Sequence, residues 1–146
     1  MSGDLPARVS LRGREAYKVW RTMETRWADN DIYGHVNNIV YYGWFDTAVN
    51  AWLIEAGLLD PGKGDPIGLV VETGCRYARP LAFPQPVDVG LAVERIGKSS
   101  VRYRLGIFAV DQSEAAAEGF FVHVYEVKPV GGRPICRKPG VRRLAG

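Results

Sequence analysis

Trp27-Ala-Asp29-Asn-Asp31-Ile-Tyr-Gly34-His35-Val-Asn37-Asn38-Ile-Val-Tyr41-Tyr42 is the stretch whose reading decides the fold. Two carboxylates, an imidazole and several side-chain amides crowd into its first part, and an apolar run follows at once. The segment from Asp29 to Gly34 is turn chemistry, because short polar side chains bond the nearby backbone and glycine relaxes the limit on φ. Asn37 or Asn38 supplies an N-cap. From there the spacing predicts a helix from about Ile39 to Ala56 that stops at Gly57 as its C′ residue. A helix N-terminus offers free N–H donors and the positive end of the macrodipole, so polar groups beside one are well placed for chemistry.

Working outward, Ile39, Val40, Tyr41, Tyr42, Trp44, Phe45, Ala48, Val49, Trp52, Leu53 and Ile54 place apolar groups around most of the helix. A helix apolar nearly all round is expected to be buried. One narrow polar stripe interrupts it, at Gly43, Asp46, Thr47 and Asn50. In a chain this small, a curved sheet wrapped around the helix is the natural way to bury it. Alternating or β-branched runs supply that sheet at Tyr17–Trp27, Ile67–Tyr77, Val87–Ile96, Ser100–Val110 and Gly119–Val127. Gly97-Lys98-Ser99 reads as a tight hairpin, making its two strands antiparallel neighbours. The order is β-α-β-β-β-β, an α+β domain in which an antiparallel sheet wraps one long buried helix. Residues 1–15 read as an N-terminal arm, 16–135 as the domain and 136–146 as a basic C-terminal tail.

The totals narrow the function. A chain of 146 residues argues for one domain. Nineteen Lys and Arg against sixteen Asp and Glu leave a formal charge of +3, which suits a small anionic partner and is too weak to argue for nucleic acid. Cys75 and Cys136 are the only cysteines, and no His/Cys cluster has zinc spacing, so no metal is expected. The charged first twenty residues argue against a signal peptide, and Asp46 interrupts the best candidate for a membrane span. The expectation is a cytoplasmic protein with reduced thiols. There is no Gly-x-Ser-x-Gly elbow and no phosphate-binding glycine loop.

The stretch Asp29-x-Asp31-x-x-Gly34-His35-Val-Asn37-Asn38-x-x-Tyr41, followed by Trp44-Phe45-Asp46-Thr47-Ala48, resembles the signature of hotdog-fold acyl-CoA thioesterases of the 4-hydroxybenzoyl-CoA thioesterase type. Gly97-Lys98-Ser99-Ser100 and Gly132-Arg133-Pro134 resemble its hairpin and its C-terminal end, so the likeness runs from about Tyr17 to Pro134. The resemblance implies a hotdog fold and hydrolysis of acyl-CoA without a cofactor. It makes Asp31 the catalytic carboxylate and Asn38, at the helix start, the group that polarises the thioester carbonyl. His35 is a positioning residue or a general base, and Asn37 either contacts ligand or caps the helix. The physical requirement is the same: a nucleophile or base for water, and donors for an oxyanion.

Asp29 reads as structural, and Asp46 as a hydrogen-bonded or interface residue that is the runner-up carboxylate. His123 reads as a structural side chain, and Cys75 has no visible activating base. Arg76, Arg79, Lys98 and Arg102, with Ser99 and Ser100 as donors, are candidates to hold the phosphates of CoA, while Tyr41 is a candidate to line the acyl space. The resemblance further implies a homodimer, or a tetramer built as a dimer of dimers, with the site between protomers. The open edges of a five-stranded sheet give a physical reason for such pairing. Two other readings stand beside hydrolysis of acyl-CoA. One is an acyl-ACP thioesterase, which shares the His-Val-Asn-Asn run; the other is an acyl-CoA-binding module without catalysis. A hotdog dehydratase fits the motif spacing less well.

Overall fold

A computed structural model describes residues 10–59 and 68–125, and the backbone of 127–130 and 133–136. A 3-10 turn at Arg14–Ala16 precedes strand β1 (Val19–Met23), and a second at Trp27–Asp29 precedes helix α1 (Asn38–Glu55). Four long strands follow: β2 (Gly68–Tyr77), β3 (Val87–Ile96), β4 (Ser100–Ala109) and β5 (Ala117–Tyr125). A short hairpin of β6 (Val127–Val130) and β7 (Arg133–Cys136) comes last.

The main sheet has the order β1-β3-β4-β5-β2, and every neighbouring pair is antiparallel. The chain therefore leaves one edge at β1, crosses the whole sheet as α1 and re-enters at the opposite edge as β2. Because strand side chains alternate, Val101, Tyr103, Leu105 and Ile107 of β4 point to the helix. Arg102, Arg104, Gly106 and Phe108 point away from it. The same alternation puts Val87, Val89 and Leu91 of β3, and Ala117, Phe121, His123 and Tyr125 of β5, on the helix side.

Helix α1 answers with Tyr41, Trp44, Phe45, Ala48, Val49, Trp52 and Leu53, all buried at i, i+3, i+4 spacing. The closest approach is at Gly119, where an added Cβ would lie 2.3 Å from the Phe45 ring. The far face of the sheet is covered too. Tyr17 packs edge-on to Phe108 and Trp20, and Arg14 lies over both Trp20 and Phe108. Arg14 also bonds Asp88 at 2.9 Å and the carbonyls of Ala109 and Val110 at 3.1 Å, which fastens the segment before β1 to the sheet.

Sequence reading and structure agree on the hotdog architecture and differ in three details. The first strand is shorter than Tyr17–Trp27, because the 3-10 turn at Trp27–Asp29 draws its end out of the ladder. The helix is enclosed on one side only: the stripe Gly43, Asp46 and Thr47 is exposed, and so are Ile39 and Ile54. The β6–β7 hairpin continues the chain past the last expected strand. Residues 1–9 of the arm and 137–146 of the tail lie outside the described residues.

Candidate active site

Four local features fix the junction between β1 and α1. The buried Asp29 carboxylate accepts from the Arg26 backbone N–H at 2.8 Å and from the Arg26 guanidinium at 2.8 and 3.0 Å. Its carbonyl accepts from the Asn37 N–H at 2.8 Å. Gly34 turns the chain at φ +78°, in the left-handed region that disfavours any Cβ. Val36 N–H donates to the Leu81 carbonyl at 2.7 Å, and Asn30 Oδ1 accepts from the Phe83 N–H at 3.1 Å, so the loop is pinned to the segment before β3.

Within this frame Asp31 is half-buried and not ion-paired among the described residues. Its Oδ1 accepts from the Tyr33 N–H at 2.8 Å and, more weakly, from the His35 N–H at 3.4 Å. Its backbone N–H donates to the His35 carbonyl at 2.8 Å and its own carbonyl accepts from Gly34 at 3.1 Å. The turn orients the carboxylate through one oxygen and leaves Oδ2 unengaged among the described residues. Asn37 caps the helix, its Oδ1 accepting from the Ile39 N–H at 3.2 Å. Asn38 is the first helical residue; its side chain is exposed and its carbonyl accepts from the Tyr77 hydroxyl at 3.1 Å. The His35 ring projects into solvent.

Beside the helix start is an open cavity of about 310 Å³, lined by Val36, Asn38, Tyr41, Tyr77, Arg79 and Pro80. Tyr41 is almost wholly buried, edge-on to Trp44 and Tyr77 at 5.2 and 4.9 Å, and burial pushes its phenol up to about 12. Its neutral hydroxyl is a donor at any ordinary pH. On the other flank of the helix a groove of about 420 Å³ runs past Arg26, Asp29, Ile39, Val40, Gly43 and Thr47. Asp46 is exposed on the outward stripe, where Asn50 Nδ2 donates to its Oδ1 at 3.1 Å. Burial pushes the Cys75 thiol up to about 11, which removes the thiolate a cysteine nucleophile needs.

Not every sequence candidate gathers here. Arg76 projects from the face of β2 opposite the helix, 3.5 Å from Glu118. Lys98, Ser99 and Ser100 form the β3–β4 hairpin, seven register rows from the Ala117 row beside Tyr77. At ~3.3 Å per row that is roughly 23 Å along the strands. Within one chain, Asp31, His35, Asn37, Asn38 and Tyr41 form one junction; Arg76 and the hairpin do not join it.

His123, read from the sequence as structural, lies in an enclosed aromatic environment that alternation alone does not reveal. It is 2% exposed, packed against Tyr103, Phe121 and Tyr125, and neither ring nitrogen has a hydrogen-bond partner among the described residues. Its neighbours Tyr103 and Tyr125 share a hydroxyl–hydroxyl bond of 3.0 Å. No group of three or more His, Cys, Asp or Glu side chains suited to a metal ion occurs among the described residues. Nor is any described helix long and apolar enough to cross a membrane.

Comparison with known proteins gives this geometry a context. Residues 33–116 match the model of the thioesterase superfamily. The structure of the PA5185 protein from Pseudomonas aeruginosa strain PAO1 is 52% identical, with a TM-score of 0.80 over 91% of this chain and 92% of that one. A protein from Xanthomonas campestris, provisionally assigned as an acyl-CoA thioesterase, is 30% identical with a TM-score of 0.67 over 79% of this chain and 98% of its own. The PA2801 protein of Pseudomonas aeruginosa, provisionally a thioesterase, is 26% identical with a TM-score of 0.74, covering 87% and 97% of the two chains. No curated protein sequence matches the chain.

Proposed function

The chain belongs to the thioesterase superfamily, and from that premise we propose that it hydrolyses an acyl-CoA thioester to the free carboxylic acid and CoA, with Asp31 as the reacting carboxylate. The observation that carries this reading is the state of Asp31: one oxygen is held by the Tyr33 N–H and the other has no partner among the described residues, just upstream of a helix start. A carboxylate so placed either attacks the carbonyl carbon, giving an anhydride that water then opens, or takes a proton from the water that attacks. In both routes the thiol of CoA leaves with a proton and the acid keeps the new oxygen.

The oxyanion requires donors already in place. The Asn38 N–H has no acceptor among the described residues, and its side-chain amide is exposed beside the same cavity. A preorganised donor of this kind contributes on the order of 3–4 kcal/mol to the transition state. His35 positions Asp31 through its backbone, which does not require its imidazole.

The homodimer belongs to the same proposal. Strand β2 is a ten-residue edge strand with Leu69 50%, Val70 47% and Val71 58% exposed. Such an edge is a template for another strand. Antiparallel pairing of β2 with the β2 of a second copy about a two-fold axis sets the Tyr77 end of one chain beside the Gly68 end of the other. The hairpin carrying Lys98, Ser99 and Ser100 lies at that Gly68 end of the sheet. Pairing thus turns the hairpin of a second copy toward the helix start, where its cation and hydroxyls serve the phosphates of CoA.

The test is a panel of acyl-CoA esters with a thiol-trapping dye. Thiol release by the wild type, lost in Asp31→Asn with the melting temperature kept, is the expected result. Binding of acyl-CoA without thiol release makes the protein a binding module instead.

A further inference from the structure

On the face of the sheet opposite the helix, strands β2, β3, β4 and β5 and the segment before β1 line a separate cavity of about 330 Å³. Arg12, Arg76, Arg102 and Arg104 line it, against Glu94 and Glu118. Four guanidiniums against two carboxylates leave a formal excess of two positive charges inside one concavity. Glu118, only 4% exposed, is shared by Arg12, through its backbone N–H at 3.4 Å and its guanidinium, and by Arg76 at 3.5 Å. Glu94 is shared in the same way, by Arg102 at 3.0 Å and Arg104 at 3.5 Å.

Each guanidinium has five N–H donors, so the two carboxylates leave most of them unused. One Arg104 nitrogen donates to the Ala16 carbonyl at 3.1 Å, while its buried Nε has no acceptor among the described residues, a state that costs free energy unless something fills it. The floor is aromatic: Arg102 lies 4.0 Å over the Phe120 ring. Gly74, opposite Phe120 in the ladder, keeps that ring flat, since a Cβ there would approach it to 2.7 Å.

Planar forks with surplus donors, converging on a pocket at the lower end of ligand-site volumes, match the oxygens of phosphate better than a single carboxylate. We propose that this cavity is a binding site for a multivalent phosphate ligand, separate from the junction at Asp31. The site stands on its own residues and holds whether or not the hydrolysis proposed above is correct.

Calorimetric titration of the full-length protein with sodium pyrophosphate and with adenosine 3′,5′-bisphosphate, against sodium acetate at equal ionic strength, tests it. Saturable binding of one phosphate ligand per chain is expected, with acetate silent. Binding weakens at least tenfold in Arg102→Gln and in Arg76→Gln, each checked for an unchanged melting temperature. Competition distinguishes the sources of the phosphate. Pyrophosphate raising the KM for acyl-CoA in the wild type but not in Arg102→Gln identifies the nucleotide end of CoA as the occupant, and any other KM response identifies a separate phosphate ligand; given saturable binding, both outcomes support the site. Absence of saturable binding at low millimolar concentration, or equal affinity in folded variants, overturns it.

Discussion

At the scale of single residues, two carboxylates two positions apart have different fates, and hydrogen bonds separate them. Asp29 spends both oxygens on Arg26, whereas Asp31 keeps one without a partner among the described residues. Asp31→Asn therefore preserves the turn, because the amide oxygen still accepts from Tyr33, while turnover falls by about 10³-fold or more; the check is kcat beside an unchanged circular dichroism spectrum. Asp29→Asn instead weakens the ion pair with Arg26 and lowers stability by about 1–3 kcal/mol, read from urea unfolding. The sequence distinguished these two only through the family resemblance, since both fit turn chemistry equally well. His123 was legible as a structural side chain in a strand, but nothing in the sequence showed that its ring would be enclosed with both nitrogens unpaired among the described residues. Burial lowers its pKa below the ordinary imidazole value, with the Asp46 charge opposing. The folded chain then holds His123 neutral where the unfolded chain takes up a proton. The His123 contribution to stability is full above about pH 6.5 and falls as pH drops below it, by at most about 1.4 kcal/mol per pH unit. Urea midpoints from pH 7.5 to 5.5 should fall more steeply for the wild type than for His123→Gln; parallel curves would refute the assignment.

At the scale of elements, the strands and the helix were legible because period-2 and helical patterns are local. The β3–β4 pairing was legible from its hairpin, but the places of β1 and β2 were not, since they reach opposite edges through a crossing that no local pattern encodes. The helix start was legible as a choice between Asn37 and Asn38, and the side-chain bond to Ile39 decides for Asn37. Asn37→Ala should cost about 0.5–2 kcal/mol of stability and, by loosening the first turn, also lower kcat; urea unfolding and steady-state kinetics read the two effects. The seat of the helix on the sheet depends on Gly119. Gly119→Ala drives a methyl into the Phe45 ring and should destabilise by about 1–3 kcal/mol. Phe45→Leu in the same chain should recover part of that loss, and the coupling is measured by a double-mutant cycle.

At the scale of the whole molecule, the helix that reads as apolar all round leaves Ile39 and Ile54 exposed, and the β2 edge leaves Leu69, Val70 and Val71 exposed. Hydrophobicity in a sequence marks surface to be covered, and it does not say whether the same chain or another one covers it. That is why the wrapped helix was legible and its open face was not. The exposed β2 edge follows from strand order, so a second copy is expected to complete it. The mass by sedimentation at micromolar concentration should therefore be at least twice the 16.2 kDa of the chain. Leu69→Asp with Val71→Asp places like charges on two edges that meet antiparallel, where opposed carboxylates repel. The doubly substituted chain should sediment as a folded monomer with its helix content kept. Its thioesterase activity should be lost even though Asp31 and Asn38 are untouched, because the hairpin of the second copy no longer reaches the site. A monomer that retains full activity would place the whole reaction within one chain, and a persistent dimer would move the interface away from β2.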